Sequence, residues 1–216
     1  MKTAYFMDFA FETEGVTFYP RPETELLVEK AVSFVSLGRG YGPPQRIMDI
    51  GTGCGSIAIS LAKYLPLSRI VATDISDSAL RVAADNSLRY GLAARIDFIR
   101  SDLFADMDRN QYRDFFDLII SNPPYVPLED FPSLSAKTKE DPYISLSGGV
   151  GGMDFYEKIK TEAPFFLKQN GILLMEMGYG QSENIKTMLE ESGAFYSIEI
   201  FKDYSGIDRI IKASLG

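Results

Sequence analysis

The sequence DIGTGCG, residues 49–55, decides the fold of this chain. The run RIMDI that leads into it, residues 46–50, is typical of a buried strand. After it, residues 56–65 have the small and apolar side chains of a helix, which Pro66 ends. A strand that passes through a glycine-rich turn into a helix is the first half of a β-α-β unit. We therefore predict a parallel sheet with this turn at the carboxyl end of a strand.

Outward from the turn, apolar runs alternate with amphipathic stretches, which indicates an α/β fold built on a parallel sheet. The last two predicted strands are joined by residues 203–206, a connection too short for a parallel crossover, so these two strands must be antiparallel. The sequence thus predicts a seven-stranded, mostly parallel sheet with one antiparallel strand. The predicted strands are residues 46–50, 69–73, 96–99, 116–121, 171–177, 195–201 and 208–213, and the predicted helices are residues 24–35, 56–65, 77–90, 153–168 and 182–192.

The N-terminal region is organised differently. Apolar and polar side chains alternate over residues 4–19 around Glu14 and Gly15, which predicts a β-hairpin with its turn at those two residues. Glycine and proline are frequent in residues 38–44, which is typical of a linker. We assign residues 1–20 to an N-terminal β-hairpin and linker, and residues 21–216 to the main domain.

Composition excludes several classes of function. The 216 residues are 45% apolar and 24% charged, enough to bury a full core. One Cys and no His exclude an intramolecular disulfide, a Cys/His zinc site and Ser-His-Asp or Cys-His catalysis, and we expect no metal. The net charge of −8 disfavours non-specific nucleic-acid binding. With neither a signal peptide nor a bilayer-length apolar run, we expect a cytoplasmic protein and no membrane partner.

The glycine-rich turn has the features of a ligand site. Glycines at 51, 53 and 55 allow a tight turn and leave bare main chain for a ligand. Their spacing, G-x-G-x-G, differs from the dinucleotide and Walker patterns. Asp74 ends the next predicted strand, where a carboxylate can accept hydrogen bonds from ribose hydroxyls. S-adenosylmethionine is the ligand most consistent with both features, and a turn without a ligand is the alternative.

The sequence SNPPYVP, residues 121–127, follows another predicted strand. Its prolines lack N–H groups, so the preceding carbonyls are left without local competition. The side-chain oxygen of Asn122 and a carbonyl near Pro123 can each accept one proton of a planar NH₂ group, while Tyr125 stacks on the group that bears it. Such a turn favours methyl transfer to an amide or exocyclic amine without a strong base. A rigid turn with no chemical role is the alternative.

These motifs together resemble the catalytic domain of the HemK/PrmC family, class I methyltransferases that methylate a glutamine side-chain amide. The resemblance covers nearly the whole chain. It rests on FYPRPETELLVE (18–29), DIGTGCGSIAISLA (49–62), ATDIS (72–76), SDLF (101–104), SNPPYVP (121–127), SLSGGVGGMDFYEKI (145–159) and DYSGIDRII (203–211).

The resemblance implies a Rossmann-like class I methyltransferase fold, S-adenosylmethionine as cofactor, and a peptide chain release factor as protein partner, modified on the glutamine of its Gly-Gly-Gln motif. It implies that a catalytic and substrate-binding turn is formed by Asn122, Pro123, Pro124 and Tyr125. Arg21 and Glu23 are further candidates beside the cofactor pocket. The implied cofactor-binding residues are Gly51, Thr52, Gly53, Cys54, Gly55, Asp74, Asp102, Leu103 and Asn122.

The sequence also departs from the family. Members usually begin with a separate helical domain, and because few residues precede Pro20 we expect only the catalytic domain here. Leu103 stands where an aromatic residue is frequent, which removes a stacking surface for adenine. Asp141 and Gly151 replace a frequent Glu and a frequent Asp, and we expect both to lie outside the reacting centre.

Two other functions remain open on the sequence. The first is an amino-methyltransferase that acts on an exocyclic amine of RNA or DNA through the same turn, against which the acidic charge counts. The second is a cofactor-binding partner protein without activity, against which the intact motifs count.

Overall fold

The computed structural model describes residues 2–13, 15–38 and 45–216. Short 3₁₀ turns connect several elements, most of them between β6 and α5. The strands are β1 (Thr3–Phe6), β2 (Phe9–Glu12), β3 (Arg46–Ile50), β4 (Arg69–Asp74), β5 (Ile96–Arg100), β6 (Phe116–Ser121), β7 (Leu167–Glu176), β8 (Phe195–Lys202) and β9 (Asp208–Leu215). The helices are α1 (Pro22–Gly38), α2 (Ser56–Tyr64), α3 (Asp77–Arg89), α4 (Tyr143–Leu146), α5 (Asp154–Phe166) and α6 (Ser182–Glu191).

Seven strands form the main sheet in the order β5-β4-β3-β6-β7-β9-β8. β3 pairs in parallel with β4 on one side and with β6 on the other. β9 runs antiparallel to both of its neighbours, β7 and β8. The prediction of a mostly parallel seven-stranded sheet with one reversed strand is confirmed. From β3 the chain adds β4 and β5 on one side and then β6 and β7 on the other. Because the strand order reverses at β3, a crevice forms at the carboxyl ends of the central strands.

Apolar side chains cover both faces of this sheet, as expected for parallel strands buried between helices. On one face, Leu27 of α1 and Ile59 of α2 belong to a buried cluster. On the other face, Tyr156 of α5 and Ile185 of α6 belong to a second buried cluster. None of the helices in the described ranges combines the length and hydropathy needed to cross a bilayer.

The N-terminal hairpin exists, but its predicted turn was wrong. β1 and β2 pair from Thr3 opposite Glu12 to Phe6 opposite Phe9, so the turn lies at Met7 and Asp8 rather than at residues 14–15. This register places the rings of Phe6, Phe9 and Phe11 in the same buried cluster as α1 and α2. Burial of these rings therefore sets the turn, whereas Glu14–Gly15 carries only a local turn signal.

Other boundaries differ by a few residues. α1 begins at Pro22, because proline at the first helical position loses no hydrogen bond, and it continues to Gly38. The rest of the predicted linker, residues 39–44, lies outside the described residues. Pro164 lies inside α5 and does not break it before Phe166. β7 follows α5 directly and is longer than predicted.

Candidate active site

A cavity of about 600 Å³ opens at the carboxyl ends of β3, β4 and β6. It is bordered by all but one of the residues that the sequence nominated. The exception is Gly55, the last residue of the glycine-rich turn, which packs against Ile59 and Ala83. The nominated residues that border the cavity are Arg21, Glu23, Gly51, Thr52, Gly53, Cys54, Asp74, Asp102, Leu103, Asn122, Pro123, Pro124 and Tyr125.

The glycines of the turn serve different purposes. All three have positive φ, with values of 72° at Gly51, 58° at Gly53 and 85° at Gly55. A Cβ at Gly51 or Gly53 would meet no atom within 4 Å, so bare main chain faces open space there. A Cβ at Gly55 would lie 2.9 Å from Cδ1 of Ile59 and 3.2 Å from Cβ of Ala83, so this glycine permits close packing of α2 on α3.

Asp74, the last residue of β4, supports the glycine-rich turn. Its Oδ2 accepts a hydrogen bond from the Gly53 N–H at 2.9 Å, and its Oδ1 accepts one from the Ser76 N–H at 2.9 Å. Burial raises the pKa of Asp74 above its ordinary value, while these backbone hydrogen bonds lower it. Because a carboxylate oxygen has two lone pairs, both oxygens keep an acceptor site for a ligand in the cavity.

Asp49 lies beneath the same turn and was not among the residues nominated from the sequence. Its Oδ2 accepts hydrogen bonds from the Thr52 hydroxyl at 2.7 Å and from the Ala58 N–H at 3.2 Å. Its Oδ1 is buried and has no hydrogen-bond partner among the described residues. Burial raises the pKa of Asp49 to about 7. An acid flanked by apolar residues in a predicted buried strand is the sequence signal that identifies such a residue.

The Asn-Pro-Pro-Tyr turn follows β6 and is held in place from several directions. The Asn122 Nδ2 group donates a hydrogen bond to Thr24 Oγ1 at 3.0 Å. The Gln181 Nε2 group donates to the Tyr125 carbonyl at 3.0 Å, and the Val126 N–H donates to the Leu146 carbonyl at 2.9 Å. Burial raises the pKa of the Tyr125 hydroxyl well above its ordinary value. The turn is therefore fixed by side chains and main chain remote in sequence.

Two further residues complete the wall behind Asn122, and neither was nominated from the sequence. The Thr24 hydroxyl donates to Glu176 Oε2 at 2.7 Å, and the Tyr125 hydroxyl donates to Glu176 Oε1 at 3.4 Å. Thr24 and Glu176 are both buried, with 3% and 1% exposure. Glu176 is the single charged residue of the apolar run 171–177, and this is the signal that identifies it.

Three other nominated residues border the cavity, namely Arg21, Glu23 and Leu103. Arg21 forms an ion pair with Asp141, and its guanidinium lies 5.0 Å from the centroid of the Phe18 ring. Asp141, expected to lie outside the reacting centre, thus supports a residue that borders the cavity. Glu23 is exposed at the cavity border. Leu103 has a positive φ of 53°, unusual for a side chain of this kind.

The chain is similar to known methyltransferases. The family described as methyltransferase small domain matches residues 24–132. A protein of Moorella thermoacetica named release factor glutamine methyltransferase is 36% identical over 208 residues, which cover 96% of this chain and 71% of that protein. A protein of Bradyrhizobium diazoefficiens with the same name is 37% identical over 212 residues, which cover 98% of this chain and 69% of that protein.

Solved structures show the same fold. The ribosomal protein L11 methylase of Lactobacillus delbrueckii subsp. bulgaricus superimposes with a TM-score of 0.61 at 22% identity, over 94% of this chain and 81% of that one. The prediction of a class I methyltransferase fold is confirmed. Since relatives more than a third identical align with nearly all of its length, the chain belongs to the release factor glutamine methyltransferase family.

Proposed function

We propose that this chain transfers a methyl group from S-adenosylmethionine to the side-chain amide nitrogen, N5, of the glutamine in the Gly-Gly-Gln motif of peptide chain release factors. The observation that carries the proposal is the fixed carboxamide of Asn122 at the cavity border. Its nitrogen is engaged by Thr24, and no described residue donates a hydrogen bond to its Oδ1. That oxygen is available to accept a proton from a substrate NH₂ group.

The residues around the glycine-rich turn fit the cofactor. The open space over Gly51 and Gly53 accepts a ligand against bare main chain. Asp74 offers acceptor sites for ribose hydroxyls, and Asp102 and Leu103 border the region we assign to adenine. Beneath the turn, Oδ1 of Asp49 has no hydrogen-bond partner among the described residues. When bound, S-adenosylmethionine supplies an electrophilic methyl group on a sulfonium.

The protein's own contribution is to hold the amide. Asn122 Oδ1 and a main-chain carbonyl beside Pro123 accept one N–H each, which leaves a face of the nitrogen open. These bonds strengthen as the nitrogen gains positive charge, and only interactions that are stronger in the transition state accelerate the chemical step. The Tyr125 hydroxyl donates to Glu176, and we assign its ring to stack on the planar amide. No strong base is required, because the amide nitrogen becomes acidic as the new N–C bond forms and its extra proton can leave to solvent water.

Replacing Asn122 by Ala tests this assignment. We expect kcat to fall on the order of 10²–10³, by analogy with the loss of one preorganised hydrogen-bond partner of a transition state. Affinity for S-adenosylhomocysteine should change little, because the glycine-rich turn and Asp74 remain. The measurement is single-turnover transfer of labelled methyl to a release factor, with calorimetric titration in parallel. Asn110→Ala, an exposed asparagine outside the cavity, is the matched control.

The same assay separates the proposal from its alternative. Wild-type protein should label a release factor with an intact Gly-Gly-Gln motif and leave a Gly-Gly-Glu variant unlabelled. Labelling of RNA or DNA in place of the release factor would establish the nucleic-acid alternative. A near wild-type rate for Asn122→Ala would show that the turn does not position the amide.

A further inference from the structure

Three segments far apart in the chain meet behind the Asn122 carboxamide. Thr24 comes from the first turn of α1, Asn122 and Tyr125 from the turn after β6, and Glu176 from the end of β7. Their side chains form a continuous hydrogen-bonded chain, which we call the buried relay: Asn122 donates to Thr24 at 3.0 Å, and Thr24 donates to Glu176 at 2.7 Å. Tyr125 donates to the other Glu176 oxygen at 3.4 Å.

The chemistry of these groups fixes the direction of the relay. An ionised carboxylate can only accept hydrogen bonds, so Glu176 takes the single hydroxyl proton of Thr24. The Thr24 oxygen then has only lone pairs to offer, and Asn122 must present its NH₂ group to it. A hydroxyl that donates to a charged acceptor is also a stronger acceptor itself. The Asn122 amide is thereby held with Oδ1 directed away from Thr24.

We propose that Thr24 and Glu176 are positioning residues that set which end of the Asn122 carboxamide meets the substrate. This inference rests on the proposed function, since it gives the freed Oδ1 the task of accepting the substrate's amide proton. Neither residue touches the reacting atoms. Without the relay, the Asn122 amide can rotate by half a turn and present its NH₂ group, a donor that repels the substrate NH₂.

Protonation of Glu176 is expected to loosen the relay. A neutral carboxyl can donate to the Thr24 oxygen, and the Thr24 hydroxyl is then free to donate to Oδ1 of a rotated Asn122. Burial is the main cause that raises the pKa of Glu176 to about 7, and the hydrogen bond from Thr24 and the charge of Arg209 oppose it. The titratable and charged groups that face Glu176 are Glu23 from α1, Tyr125 from the turn, Tyr156 from α5, whose hydroxyl donates to the Glu176 carbonyl at 2.9 Å, and Arg209 from β9.

The test uses Thr24→Val, which keeps the shape and removes the hydroxyl, and Thr24→Ser, which restores it. Thr24→Val should lower kcat about tenfold to a hundredfold, the effect of leaving one buried hydrogen-bonding group without its partner. Thr24→Ser should recover most of the rate, and affinity for S-adenosylhomocysteine should stay within a few-fold. In the Asn122→Ala background, Thr24→Val should have no further effect, because Thr24 acts through Asn122. Thr161→Val, on the exposed side of α5, is the control.

The pH profile gives an independent readout. Wild-type kcat should fall as the pH drops below about 7. In Glu176→Gln, kcat should be lower than in the wild type and should not change with pH in this range. An unchanged kcat in Thr24→Val would overturn the proposal, and so would a full additional loss in the double variant. Thermal unfolding identifies any variant that fails to fold.

A measurement without activity separates this inference from the proposed function. The side-chain ¹⁵NH₂ resonances of Asn122, assigned by their loss in Asn122→Ala, should shift in Thr24→Val and return in Thr24→Ser. If wild-type protein methylates no release factor, the proposed function fails. The Asn122 resonances then still test whether Thr24 holds the Asn122 side chain. Resonances that do not respond to Thr24→Val would overturn it.

Discussion

The carboxylate of Asp74 acts on two parts of the molecule at once. It accepts hydrogen bonds from the Gly53 and Ser76 N–H groups, and thereby ties the glycine-rich turn to the start of α3. Its remaining lone pairs border the cavity. From the sequence, Asp74 was predicted only as a ligand contact, because its bond from the Gly53 N–H forms only when two β-α turns lie side by side.

Asp74→Ala should therefore weaken cofactor binding and loosen the turn together. We expect affinity for S-adenosylhomocysteine to fall about tenfold to a hundredfold, the effect of losing hydrogen bonds to a charged acceptor. Asp74→Asn keeps one acceptor oxygen, so its affinity for S-adenosylhomocysteine should lie between those of the wild type and Asp74→Ala. Calorimetric titration measures the affinity, and thermal unfolding follows the turn. Asp85→Ala, on an exposed position of α3, is the control. Wild-type affinity in Asp74→Ala would remove this residue from the site.

Other residues show where sequence reasoning succeeds and where it stops. Cys54 was nominated as a cofactor-binding residue, and it borders the cavity. Burial raises the pKa of its thiol to about 12, so no thiolate forms near neutral pH. Sequence reasoning missed three buried residues: Thr24 and Glu176, which line the cavity, and Asp49, which lies beneath the glycine-rich turn. Glu176 meets Thr24 across 152 positions of sequence, and no local pattern encodes such a meeting.

Among the secondary-structure elements, α2 and α3 are in contact through the glycine-rich turn. Gly55 has φ of 85° and leaves no space for a side chain, because a Cβ would press on Ile59 and Ala83. Gly91 follows α3 with a φ of 67° and has open space where a Cβ would lie. These two glycines share the left-handed backbone and differ only in their surroundings.

Gly55→Ala and Gly91→Ala thus form a matched pair. Gly91→Ala should lower the free energy of unfolding by about 1–2 kcal/mol, the strain of a left-handed alanine. Gly55→Ala should cost about 1–3 kcal/mol more, because overpacking adds to that strain. Urea unfolding of the two variants and the wild type measures the difference. Equal losses would show that α2 and α3 move apart freely to accept the methyl group.

The periodicity of apolar residues predicted most strands and helices closely, and β3 and β6 have the predicted bounds. Prediction failed where packing overrides a local signal. The hairpin turn lies at Met7 and Asp8, which carry no strong turn signature, because three phenylalanines must reach one buried face. Hydrophobic patterning identifies which residues are buried, but the pairing register depends on what they are buried against.

At the scale of the whole molecule, two fully buried acids couple stability to pH. Burial raises the pKa of Asp49 and of Glu176 to about 7. A raised pKa means that the folded state holds the proton more tightly than the unfolded chain does. The stabilisation is complete below the ordinary pKa of about 4 and is lost as the pH rises to about 7.

Asp49→Asn removes the contribution of Asp49 to the pH dependence of stability. We expect its free energy of unfolding to decline less than that of the wild type between pH 5 and pH 8, because an amide does not titrate. Urea unfolding at both pH values gives the two declines, and their difference isolates Asp49 from all other groups. Identical declines would show that Asp49 titrates near its ordinary pKa despite its burial.

The buried relay has a consequence for how activity depends on the integrity of the fold. The proposed cofactor contacts of the glycine-rich turn, Asp74 and Leu103 come from one continuous stretch, residues 51–103, whereas the relay joins α1 to β7. Proteins open locally in cooperative units of unequal stability. Fraying of the first turn of α1 would therefore release Asn122, while the proposed contacts within residues 51–103 would stay assembled. Methyl transfer thus reports on the whole architecture, and cofactor affinity reports on only part of it.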